Sequence, residues 1–209
     1  MAIASALMAA AAGFGLGRWS NQTHHDSAPT AASPTPRRSP ASGGPFTQRQ
    51  AAANRAHFPT PVAAFAEPWL PQIGDCTTAP NGGGPQLGAG EQSRTRCAAG
   101  IITTYWISYR TSADRDRAQD RYQAQAAETP RLAPGAKPPA DQAVPHGSHT
   151  VRYIEYAYQV PSGQHAGQVV AALWWSDPTQ PIAGILLAYW AEGLDSSWAP
   201  LRDLWDQSG

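Results

Sequence analysis

Residues 101–116 read IITTYWISYRTSADRD. As far as Arg110 the run is rich in β-branched and aromatic residues, the composition that suits a pleated, half-buried strand. At Thr111 the pattern changes, because Thr111-Ser112-Ala113-Asp114 places a hydroxyl N-cap ahead of an acid near the third helical position. Ala118, Tyr122 and Ala126 then recur at i, i+4 and i+8, which predicts a helix over Ser112–Glu128 with one buried stripe. Asp114, Asp116 and Asp120 interleave with Arg115, Arg117 and Arg121 on what reads as its solvated side. On such a helix Asp114-x-Asp116 is surface charge rather than a metal motif.

The same change of period recurs toward the C-terminus. TVRYIEYAYQV (150–160), GQVVAALWWS (167–176) and IAGILLAYWA (182–191) are three strand-like runs separated by turns at Pro161-Ser162-Gly163 and Asp177-Pro178. Leu194, Trp198, Leu201 and Trp205 then follow helical spacing, predicting an amphipathic helix over Asp195–Asp206. Upstream, Arg94–Ala98 pairs naturally with Ile101–Arg110 around Ala99-Gly100. Strands followed by a helix, twice over, predict an α+β domain: an antiparallel sheet with two helices packed on one face. Its entry, Pro59–Gly74, offers Phe65, Trp69, Leu70 and Ile73 to the core, and the flanking prolines Pro68 and Pro71 predict irregular backbone there.

Composition narrows the function classes. Fifteen Lys+Arg balance fifteen Asp+Glu, so the basic excess of a nucleic-acid binder is missing. A charged fraction of 14% is low for a soluble domain, and 19 Gly with 20 Pro predict many loops. Cys76 and Cys97, an even pair without a CxxC motif, read as a disulfide. Closing a loop of that size stabilises by roughly 3 kcal/mol in the chain-entropy account.

Ahead of the domain, Met1–Trp19 forms an apolar segment closed by Arg18 and Trp19, as a snorkelling cation and an interfacial aromatic close a membrane helix. We read it as a single-pass anchor; a secretory signal cleaved near Ala9-Ala10-Ala11 is the alternative. Arg18, Arg37 and Arg38 all follow the apolar run, against the positive-inside rule, so a basic leader upstream of Met1 is expected. Residues 20–58, rich in Pro, Ser, Thr and Ala, are expected to be a disordered stalk. Within it His24-His25-Asp26 reads as solvated polar sequence and Thr47–Arg55 as one weak helical turn. The folded domain is then 59–209, outside the cytoplasm.

Candidate chemistry is sparse. The glycine-rich 81–90 loop lacks the Gly-Lys-Ser/Thr ending of a phosphate cradle. His146 and His149 (HGSH) supply at most two ligands where a closed zinc site needs four, so neither metal nor cofactor is expected. The candidate ligand surface is His146 and His149 together with Trp174 and Trp175. Those adjacent tryptophans point to opposite faces of a strand, one expected in the core and one partly exposed.

Cys76, Arg96-Cys97 ahead of YWISY, the charged helix near Tyr122, TVRYIEYAY, QVVAALWW and the closing Asp203-Leu204-Trp205 together resemble an extracytoplasmic domain of actinobacterial proteins. That domain lies behind a single transmembrane helix in serine/threonine kinases and in uncharacterised membrane proteins. The resemblance covers about 130 residues, Cys76 to Trp205, and implies an outer sensing module. The chain carries no Gly-rich kinase loop, His-Arg-Asp or Asp-Phe-Gly. The expectation is a membrane-anchored binding or sensor-like module without catalytic activity, meeting an unidentified ligand or envelope protein. The alternative is a secreted or envelope enzyme of hydrolase type with a spatially assembled site.

Overall fold

The computed structural model describes residues 44–140, 143–146 and 149–207, with the backbone alone at His149. Met1–Trp19, most of the proposed stalk and His24-His25-Asp26 lie outside the described residues. The chain folds as an α+β unit on one seven-stranded antiparallel sheet. β1 (Gly74–Ala79), β2 (Glu91–Ala99) and β3 (Ile102–Tyr109) make one meander; β4 (Val144–His146), β5 (His149–Gln159), β6 (Val169–Ser176) and β7 (Ile182–Tyr189) make the other. The spatial order is β1-β2-β3-β7-β6-β5-β4, so the meanders join where β3 pairs with β7.

Strand alternation sends unlike residues to the two faces. Ile102, Trp106, Leu173, Trp175 and Leu186 share one face with Trp69, Trp190, Trp198 and Leu201. Ile107, Tyr109, Ile154, Tyr156, Trp174 and Ile185 share the other, where Tyr105, Tyr122 and Tyr158 pack against them. We call these the tryptophan face and the tyrosine face.

The tryptophan face is covered by α1 (Pro45–Arg55), α2 (Thr60–Ala66), a 3-10 turn at Glu67–Trp69 and, at the far end, α5 (Ala199–Asp206). At its centre Trp69 stacks on Trp175 at 5.2 Å, and Trp106 meets both rings edge-on at 5.4 and 5.5 Å. Gly184 lies opposite both Trp106 and Trp175 in the ladder. A Cβ at 184 would overlap the Trp175 indole, so only glycine lets that ring lie flat on the backbone. α3 (Ser112–Ala126), followed by the short α4 (Thr129–Leu132), instead covers the tyrosine face through Ala118, Tyr122 and Ala126. Thr111 Oγ1 accepts from the Asp114 amide as its cap, as the sequence predicts.

The two helices expected from the sequence, α3 and α5, therefore sit on opposite faces, not on one. Helical spacing fixes which side of a helix is apolar but not which face of the sheet receives it. Four further expectations change. The Pro59–Gly74 entry opens with a regular helix, since Pro61 sits in the first turn of α2, where a missing N–H costs nothing; only around Pro68 and Pro71 is it the irregular backbone expected, a 3-10 turn followed by turns. The folded unit starts before Pro59, because α1 packs on it; the buried Asn54 donates to the carbonyls of Leu70 and Ile73 at 2.7 and 2.6 Å. The last helix begins at Ala199 rather than Asp195, since Asp195 and Ser196 adopt φ of 48° and 56°. Arg115 is buried rather than solvated, and its Nη1 donates to the carbonyls of Asp177 and Gln180, fastening α3 to the β6–β7 turn.

A second fastening lies under α5. Glu155, fully buried, accepts from Arg202 Nε and Nη2 at 2.8 and 2.7 Å, from Tyr153 Oη and from the Lys137 amide. Three of these four bonds hold α5 and the 135–137 segment to the sheet. Cys76 and Cys97 are joined, with sulfurs 2.09 Å apart, across the β1–β2 pair.

Replacing Gly184 with Ala should destabilise the fold by about 3 kcal/mol, because the added methyl has no room between two indoles. Urea unfolding followed by tryptophan fluorescence measures this; a variant as stable as the parent would refute the packing of Trp175 on residue 184.

Candidate functional site

On the tyrosine face α3 leaves part of the sheet open, and a cleft of about 260 Å³ forms beside it. Its walls are Arg94 of β2, Tyr105 of β3, Tyr156 and Tyr158 of β5, Ile185 and Leu187 of β7, and Tyr122 and Gln125 of α3. The pleat explains the gathering. Tyr156 and Tyr158 are two apart on one strand and so share a face, and across from Tyr156 in the β6 ladder stands Ala172, too small to fill the space between rings. Tyr122 reaches down from the helix to within 4.7 Å of Tyr156 and 5.6 Å of Trp174, centroid to centroid.

Arg94 is held in place from behind. Its Nε and Nη2 donate to Glu91 at 2.9 and 2.6 Å, while the buried Glu91 carboxylate also accepts from the Gly88 amide. The guanidinium lies 4.9 Å above the Tyr105 ring, a cation–π contact that orients it further. Nη1 is not among the donors that Glu91 takes. Burial lowers the Arg94 pKa, but the hydrogen bond and charge of Glu91 outweigh it, and the net shift is upward. The cleft therefore keeps a guanidinium whose charge is balanced by its own partner.

The phenols are kept neutral. Burial pushes Tyr122, Tyr156 and Tyr158 up from their ordinary value, and neighbouring phenols add to the effect at Tyr156 and Tyr158. The Arg94 charge opposes the rise at all three without reversing it. Each phenol can thus donate one hydrogen bond and accept others. Arginine, phenol and amide groups set among aliphatic and aromatic surface are the equipment of a ligand-holding site.

The residues singled out from the sequence lie elsewhere. Trp174 and Trp175 point to opposite faces, as expected, but both are buried, at 0% and 1% exposure, so neither offers a ligand surface. Trp174 instead backs Tyr122 beneath the cleft. His146 stacks on Trp205 at 3.9 Å at the margin of the tryptophan face, and it pairs with His149 across the β4–β5 ladder. Trp174 and Trp175 thus belong to the core and His146 to its margin, while His149 is described by its backbone alone. Among the described residues no group of three or more His, Cys, Asp or Glu is placed to hold a metal.

Sequence reasoning missed the cleft because its residues come from four strands and a helix. The one local signal was the alternation in TVRYIEYAY, which puts Tyr156 and Tyr158 on one face. Bringing Arg94 and Tyr105 beside them requires the β3–β7 pairing, which no local pattern encodes. Comparisons with family models, with characterised proteins and with solved structures find no match.

Tyrosine ionisation tests this environment. Because the folded pKa values of Tyr122, Tyr156 and Tyr158 are raised, their contribution to stability is intact below the unfolded value near 10 and is lost as pH rises beyond it. An ultraviolet titration should show these phenols ionising late, together with unfolding. All seven tyrosines ionising near pH 10 in the folded protein would contradict it.

Proposed function

We propose that this chain is a binding or sensing module of the cell envelope, without catalytic activity, that holds a small molecule in the Arg94–tyrosine cleft. The observation that carries the reading is the composition of that cleft: one charge-balanced guanidinium, four tyrosines and a glutamine. These groups bind and orient. A hydrolase would call for a nucleophile and base, or paired carboxylates, facing the same space.

In this proposal Met1–Trp19 anchors the chain as a single membrane span and residues 20–43 carry the domain away from the surface, outside the cytoplasm. The Cys76–Cys97 pair supports an oxidising compartment, where disulfides persist. Among the described residues no helix is long and apolar enough to cross a membrane, so the anchor rests on the N-terminal sequence alone. The resemblance to the outer domains of actinobacterial kinases gives the proposal its form, a ligand received outside the cell. In this proposal occupancy of the cleft is passed to an envelope partner.

Two measurements test the reading. A reporter fused after Gly209 should be active only outside the cytoplasm; activity inside would overturn the localisation. Ligand-observed NMR with a library of small hydroxylated and aromatic fragments should find saturable binders of the full chain that Tyr158→Ala no longer holds. Fragments that bind parent and variant alike, with both folded by circular dichroism, would move the site elsewhere.

A further inference from the structure

The cleft does not end at its own rim. A second depression of about 430 Å³ opens between the end of α3 and β5, lined by Gln125, Glu128, Arg131, Leu132, Tyr158 and Gln159 among others. A third, of about 390 Å³, continues across the sheet between Tyr105, Tyr158, Val170, Leu187 and Tyr189 toward Ile101. All three are lined in part by Tyr158, so they adjoin one another around this ring. At its far end Ile101 is 67% exposed, a large apolar side chain left in water at the mouth of the groove.

Charge is paired along the whole length. Arg94 is matched by Glu91 and Arg131 by Glu128, and the third depression is lined by no charged residue. A charged ligand would surrender its hydration there and meet no unpaired counter-charge, since Arg94 is neutralised by buried Glu91 and Arg131 by its surface neighbour Glu128. The polar groups on offer are phenols that both donate and accept, amides and guanidinium N–H donors, set between ring faces and the aliphatic Ile185, Leu187 and Val170. The groove also runs over a sheet face, where strand N–H and C=O groups are spent on the ladder. A peptide bound by strand addition would need an open strand edge instead.

Resting on the binding reading of this same cleft, we infer that the ligand is a neutral oligosaccharide lying along the groove, with successive rings on either side of Tyr158. Sugar hydroxyls match groups that both donate and accept, and the C–H faces of pyranose rings match the tyrosine and leucine surfaces. A chain of rings, unlike a single one, uses all three depressions.

The test is isothermal titration of the full chain with cellotetraose, maltotetraose and chitotetraose. The controls are the corresponding monosaccharides, a tetragalacturonate and a neutral tetrapeptide. At least one neutral tetrasaccharide should bind about tenfold more tightly than its monosaccharide, and Tyr158→Ala should weaken it by about tenfold, the loss of one aromatic contact. Phe46→Ala, on the exposed start of α1, should leave affinity unchanged. Binding of the galacturonate or the peptide in preference would overturn the ligand class while leaving the cleft a binding site. A monosaccharide as tight as its tetramer would overturn the extended groove. If fragments bind in the cleft and none of these sugars does, the inference is wrong and the binding reading stands; if neither binds, both fall.

Discussion

The contact on which the rest of the structure depends is that of Trp175 with the bare backbone of Gly184. It joins β6 to β7, and through Trp106, also opposite Gly184, it joins both to β3. Those are the strands at which the two meanders meet. Trp69, arriving from the N-terminal helices, stacks on the same indole and closes the cluster. Aromatic rings of this size each bury a large apolar area and prefer offset or edge-on neighbours, which is how these three are arranged. Removing the room above residue 184 would disturb strand pairing, helix docking and core packing together.

That cluster also decides which face of the sheet is closed. The tryptophan face is sealed by α1, α2 and α5, with Glu155–Arg202 and Asn54 satisfying the polar groups that sealing buries. The tyrosine face has only α3 to cover it, tied down at one end by Arg115. The part of the sheet beyond α3 keeps half-buried phenols at its surface. An amphipathic residue such as tyrosine suits that position, because its ring packs on neighbours while its hydroxyl remains available. Division of labour between the faces follows from how the helices are distributed.

Much of the architecture was legible locally. The Thr111 cap, the strands on either side of Gly100 and the Ala118–Tyr122–Ala126 stripe are short-range patterns, and they form as read. Long-range choices were not. Nothing in the spacing of Leu194, Trp198, Leu201 and Trp205 says which face α5 covers. The left-handed pair Asp195-Ser196, neither of them glycine, interrupts the helix just where the sequence looks like its start. Arg115 lay within a run of alternating charges and is nonetheless buried, because the β6–β7 turn presents two carbonyls to it. Trp174 and Trp175 drew attention as an adjacent pair on one strand, but both are buried and build the core. The cleft itself was illegible, since its arginine and its tyrosines come together only through β3–β7 pairing.

The central claim is that one face of the sheet is closed and the other carries an open, tyrosine-lined groove. Hydroxyl-radical footprinting read by mass spectrometry addresses it directly. The account predicts labelling at Tyr105, Tyr158 and Tyr189 with Trp69, Trp106, Trp174 and Trp175 protected. Protected tyrosines beside readily oxidised core tryptophans would contradict it.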